Sequence, residues 1–198
     1  MTQNKIIVIT GGIASGKSSV CNILKKYNEI VISSDEKVSG IYDIMEVKEK
    51  VIKEFGNLIL DENGNVDKAK LRLELFENPE KLPALNKITH PVIMDRVKNC
   101  VDMYKNKRIF VEIPVYFESK ALIDKVLDIY KVIYIDADVD TRVARLIRRS
   151  GLEKAEAEAF VRLQMPDDDK KKSSDILIYN DFDLISLEEK IIDVLNLL

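Results

Sequence analysis

Gly11, Gly16, Lys17 and Ser18 are spaced as G-x-x-x-x-G-K-[ST] within "TGGIASGKSS", residues 10–19, the pattern of a loop that cradles phosphate. Such a loop turns its backbone N–H groups inward around a phosphate chain, at the start of a helix whose first amides have no internal partner. Glycines let the backbone approach closely. The expected nucleotide contacts are Gly11, Gly12, Ile13, Ala14, Ser15, Gly16, Lys17, Ser18 and Ser19, with the Lys17 ammonium on the β- and γ-phosphates. The Ser18 hydroxyl is the expected protein ligand of a Mg²⁺ that also touches those oxygens. The loop thus implies a nucleoside triphosphate with magnesium.

Other polar residues fall where strands should end, which is where parallel α/β sheets bind ligands. Asp35, in "VISSDEKV", is placed to be a base or an orienting carboxylate for a hydroxyl acceptor, and equally to cap the next helix. Glu112, in "IFVEIP", is an acid inside an apolar run, an arrangement that costs free energy unless the acid is paired or metal-linked; it suits a carboxylate holding magnesium waters. "DTRVARLIRRS" puts Arg142, Arg145 and Arg149 on one helical face beside an apolar face of Val143, Leu146 and Ile147. A solvated face is the plain reading of such a charge run. Beside a triphosphate the same face could offset charge on a transferring phosphoryl group. With "GLEKAEAEAFVRLQ" as an antiparallel second helix, it reads as a lid. His90, the single histidine, and Glu118 in "PVYFES" stay ambiguous on residue type alone.

Elements able to position these groups follow from the hydrophobic pattern. Strand-like runs lie at 5–10, 29–34, 108–114, 130–136 and 175–180, mostly continuously apolar as buried parallel strands are. Helical patterns alternate with them, which implies an α/β fold with helices on both faces of a parallel sheet of about five strands. The core is expected over about 1–40, 106–140 and 174–198, a lid over about 141–173, and an inserted helical subdomain over about 41–105. Within the insertion, "EVKEKVIKEF" should end before Gly56, "DENGN" should turn, and Pro79 and Pro91 each suit a helix's first turn. Ile93, Val97, Val101 and Tyr104 share one helical face after Pro91. Ser186 with Glu189 reads as a capping box opening the last helix.

The 198 residues suffice for one compact domain with an insertion, and 46% hydrophobic with 33% charged residues is an ordinary globular composition. A net charge of −3 argues against broad nucleic-acid binding. Two cysteines, Cys21 and Cys100, support neither a disulfide framework nor a thiolate metal site. No run approaches a membrane span, and the start lacks a basic region with an apolar core, so a cytoplasmic location without membrane or obligatory protein partner is expected.

Taken together, "VITGGIASGKSSV", "VISSDEKV", "LRLELFENPEKLPALNKITHP", "VEIPVYFE", "RVARLIRRSGL" and "LQMPDDDKKKSSDILIYND" occur in the order found in dephospho-CoA kinases, which the chain resembles over nearly its whole length. The resemblance implies a P-loop kinase that transfers the ATP γ-phosphate to the ribose 3′-hydroxyl of dephospho-CoA. It maps the acceptor-activating carboxylate onto Asp35 and the lid arginines onto Arg145 and Arg149. It sets dephospho-CoA against the inserted helices, with Phe76, His90, Pro91 and Glu118 in matching segments, and adenine near Gln164, Asp175 and Asn180. Some positions depart from the pattern. Ala14 replaces a frequent loop glycine, so the backbone there should avoid a glycine-only conformation. Ser33 replaces the first of two aspartates, Glu112 an aspartate, Lys68 an arginine and Phe182 a glycine. Other small P-loop kinases, or an ATP-dependent switch without catalysis, are the alternatives.

Overall fold

The computed structural model describes residues 3–162, 167–181 and 183–198. Five parallel strands form one sheet in the order β2-β3-β1-β4-β5, with β1 Lys5–Gly11, β2 Ile30–Ser33, β3 Arg108–Glu112, β4 Ile129–Asp136 and β5 Ile176–Tyr179. Each lies within a residue or two of its apolar run. β1 is central, paired with β3 on one side and β4 on the other. The chain winds outward both ways from β1, so a ligand crevice opens at its carboxyl end.

Helices α1 (Lys17–Lys26) and α9 (Leu184–Leu197) cover one face of the sheet. Val20, Cys21, Ile23 and Leu24 of α1 and Leu187, Ile191 and Val194 of α9 bury against Ile7, Ile9, Phe110, Ile133, Ile135 and Ile178. The alternate side chains Val8, Ile109, Val111 and Tyr134 are fully buried too, so the sheet is covered on both faces, as its unbroken apolar strands require. Tyr116 and Phe117 lie over that second face, Phe117 stacking at a tilt on Tyr134.

Two compact units result: residues 1–34 with 100–198, which holds the sheet, and Asp35–Asn99, which is helical. The helical unit contains a 3-10 helix at Asp35–Val38, α2 (Met45–Phe55), α3 (Lys68–Glu77) and most of α4 (Leu82–Asp102). Helix α2 buries Val47, Val51 and Phe55, spaced four apart, and stops at Gly56, whose φ of 77° suits glycine. Asp61 closes the "DENGN" turn by accepting from the N–H groups of Asn63 and Asn65.

Two helix starts differ from those the sequence suggests. Pro91 lies in the middle of α4, not in a first turn. The helix runs through it, although the missing N–H forfeits the bond to the Lys87 carbonyl. Ile93, Val97 and Val101 do form a buried face, while Tyr104 lies past the helix end and is half-exposed. In α9 the cap is Asp183, whose carboxylate accepts from the Ser186 N–H, so Ser186 sits inside the first turn. An aspartate three residues upstream outcompetes the serine because it offers a charged acceptor to the positive helix end.

The remaining helices of the sheet unit are α5 (Lys120–Val126), α6 (Val139–Ser150), α7 (Lys154–Arg162) and α8 (Asp167–Lys172). Helices α6 and α7 form a hairpin around Val143, Leu146, Ala157 and Val161. Gly151, with φ 66°, ends α6. No helix among the described residues is long and apolar enough to cross a membrane.

Candidate active site

β1 ends at Gly11 and α1 begins at Lys17, so the glycine-rich loop is a strand-to-helix turn at the switch point. Space explains its glycines. A Cβ on Gly11 would lie 2.3 Å from the Ile135 carbonyl oxygen, one on Gly12 1.8 Å from an Arg142 nitrogen, and one on Gly16 2.0 Å from the Asn180 amide nitrogen. Gly16 adopts φ 99° as the residue before α1, and no side chain caps that end. A helix start of this kind, at the positive end of the helix, suits an anion.

The Lys17 ammonium donates to the carbonyls of Gly11 and Gly12 at 3.0 and 2.9 Å, which holds the cation at the loop. Ser18 is exposed in the first turn of α1, Ser19 half-buried, and Ser15 fully buried. Ile13 and Ala14 pack on the α6–α7 cluster. Ala14 does not avoid the backbone region that favours glycine: its φ is 58°. It lies in the small left-handed region that L-residues enter at a cost, and its methyl group packs on the α6–α7 cluster there.

Around the loop, α6 and the end of β5 supply polar side chains. Arg145 donates to the carbonyls of Ala14, Ser15 and Asn180, and the Asn180 amide donates to the Ser15 carbonyl at 2.8 Å. Arg142 is almost fully buried over Gly12 and pairs with Asp167 at 2.7 Å. Sequence reasoning put Arg142 on this face without singling it out, since only the fold shows which arginine meets the loop. Ser15 Oγ and Arg142 Nε are buried without a hydrogen-bond partner among the described residues. Arg149 is exposed near the end of α6.

Glu112 is buried at the end of β3, in register with Ile9 of β1 and Ser33 of β2. Cys21 adjoins it: burial first, then the Glu112 carboxylate, push the Cys21 thiol up to about 12. The thiol stays protonated and inert. Ser18 and Glu112 suit magnesium, which takes one or two protein oxygens and completes its shell with phosphate oxygens and water. No cluster of three or more His, Cys, Asp or Glu side chains able to hold a metal ion occurs among the described residues.

Helix α8 is fixed by charge. Lys170, 2% exposed, pairs with Glu118 at 2.7 Å, Lys171 pairs with the buried Asp136 at 2.6 Å, and Tyr134 donates to Asp167. Burial, then Asp167, raise the Tyr134 phenol well above its ordinary range. Glu118, ambiguous by residue type, is thus engaged by a buried lysine. Asp175 is not near the phosphate loop's end of the sheet: it precedes β5 and accepts from the Val132 N–H, at the strands' opposite end. Gln164 and Phe182 lie outside the described residues.

In the helical unit, Asp35 is exposed as the first residue of its 3-10 helix, inside the helix rather than before it. Phe76 is 71% exposed on α3, and His90 and Pro91 are adjacent on α4, where burial holds the His90 imidazole below its ordinary pKa.

A glycine-rich anion cradle, closed by Lys17 and set at the switch point of an all-parallel sheet, defines a nucleotide-binding protein of the P-loop class. The family model described as dephospho-CoA kinase (CoaE) matches residues 5–185. A dephospho-CoA kinase of Fusobacterium nucleatum is 37% identical over 186 residues, 94% of each chain. Among solved structures, TT1252 from Thermus thermophilus superposes with a TM-score of 0.81 at 29% identity, over 99% of this chain and 98% of that one. Dephospho-CoA kinase from Campylobacter jejuni gives 0.69 at 26%, over 98% and 96%. The chain belongs to the dephospho-CoA kinase family.

Proposed function

We propose that the protein transfers the γ-phosphate of ATP to the ribose 3′-hydroxyl of dephospho-CoA, the last step of coenzyme A synthesis. The observation that carries this reading is a complete phosphate loop in a chain that matches the family over residues 5–185. The loop amides and Lys17 hold the triphosphate. Ser18 and Glu112 would hold Mg²⁺, which supplies charge neutralisation to the phosphate oxygens when bound.

Asp35 orients the acceptor hydroxyl in line with the γ-phosphorus and accepts its proton as the new O–P bond forms and ADP departs. Arg145 and Arg149 add positive charge as negative charge spreads over the phosphoryl oxygens. Phe76, His90, Pro91 and Glu118 contribute to holding dephospho-CoA. Positioning and electrostatics supply most of the rate, because phosphoryl transfer leaves little covalent work to the protein.

ADP release tests this with dephospho-CoA against adenosine monophosphate and shikimate as acceptors. Release confined to dephospho-CoA, and reduced by orders of magnitude in D35A while ATP binding stays near wild type, is the expected result. Release only on a control acceptor would discard the acceptor assignment, and a fully active D35A would remove Asp35 from its role.

A further inference from the structure

We propose that Asn180 and Arg145 are positioning residues for the phosphate loop: they hold the Ser15 carbonyl outward and thereby aim the Gly16 N–H into the anion cradle. Resemblance alone would set Asn180 beside adenine. Its geometry gives it another task. The Asn180 side chain is buried, 6% exposed, and its amide donates to the Ser15 carbonyl at 2.8 Å. Arg145 donates to the same oxygen at 3.3 Å and to the Ala14 carbonyl at 3.4 Å.

A trans peptide is planar, with its C=O and N–H pointing opposite ways. Fixing the Ser15 oxygen therefore fixes the direction of the Gly16 N–H. The clamp is itself anchored. The Asn180 N–H donates to the Asp136 carbonyl at 2.8 Å, and the Asn180 carbonyl accepts from Arg145 at 2.7 Å. The parts that hold the loop thus belong to the ends of β4 and β5 and to α6. The fit is tight enough to demand Gly16, whose missing Cβ would lie 2.0 Å from the Asn180 nitrogen. Ala14, two residues upstream of Gly16 at φ 58°, is a strained link that such a clamp would keep in place.

This inference rests on the reading that the loop binds a nucleoside triphosphate, and the two can fail separately. The test is a titration of the full chain with Mg·ATP and with Mg·tripolyphosphate, which lacks the base and sugar, for wild type, N180A and R145K. A positioning role predicts that N180A weakens both ligands by the same factor, about tenfold, the size expected when a buried backbone acceptor loses its donor. R145K keeps the charge but not the fork that spans three carbonyls, so it should weaken both likewise, and it carries the test should N180A not fold. Weaker ATP with unchanged tripolyphosphate would overturn the proposal in favour of an adenine contact. Both ligands unchanged, with only the melting temperature lowered, would reduce the pair to a structural role and also overturn it. A wild type that binds neither ligand would defeat the nucleotide reading, and the clamp with it.

Discussion

At the scale of single residues, the phosphate loop shows opposing effects of similar size. Ala14 sits at φ 58°, a left-handed conformation that costs an L-residue about 1–2 kcal/mol. Its methyl group packs on Val143, Leu146, Ala157 and Val161, and burial returns roughly 0.8 kcal/mol per methyl-sized group. Alanine can therefore stand where glycine would be the conformational choice. Gly11 and Gly12 have no such latitude, because a Cβ would strike the Ile135 carbonyl or the Arg142 guanidinium. His90 carries a pH dependence. Burial lowers its folded pKa below the ordinary 6.5, so on acidification the unfolded chain takes up the proton first. Its stability contribution is complete above 6.5 and is lost as the pH falls from there toward the folded value. Chemical denaturation between about pH 7.5 and 5.5 should show stability falling in wild type and a shallower slope in His90→Gln, while equal slopes would contradict the assignment.

Helix and strand boundaries follow from local chemistry that a hydrophobic pattern reports unevenly. The five strands were legible because each is a continuous apolar run bounded by polar residues, and α2 because its valines recur every fourth residue before a glycine. Pro91 was misleading for a physical reason. Proline favours a first turn, yet α4 continues through it, with Ile93, Val97 and Val101 buried after it, and tertiary burial outweighs one lost backbone bond. The start of α9 turned on a choice between Asp183 and Ser186 that spacing alone favoured wrongly. Thermal melts separate the two: Asp183→Ala should lower the midpoint by a few degrees and Ser186→Ala should leave it nearly unchanged. The reverse order would restore the serine cap. Because the Asp183 carboxylate accepts hydrogen bonds from the Ser186 N–H and then from its hydroxyl, its pKa is lowered, so the cap's contribution is present above the ordinary 3.8 and fades as the pH falls through the folded value.

Over the whole molecule, motif and fold carry different parts of the account. The loop spacing and the alternation of strands with helices point to phosphate chemistry on an α/β sheet, and the order β2-β3-β1-β4-β5 puts that loop at the switch point. The partners of the loop were not legible. Arg142, Arg145 and Asn180 lie far along the chain from the loop positions they meet, with separations of 131 and 165 for the Arg145–Ala14 and Asn180–Ser15 contacts, and no local pattern encodes such pairings. The charged "DDDKKK" run likewise gives no local sign of its partners, whereas α8 uses it for ion pairs to Glu118, Asp136 and Arg142. The central claim is the destination of the phosphate. Phosphorus NMR of the products from ATP, Mg²⁺ and dephospho-CoA tests it directly: ADP and a new phosphomonoester on the ribose 3′-oxygen in equal amounts are expected, whereas inorganic phosphate alone, or phosphate on another hydroxyl, would contradict it.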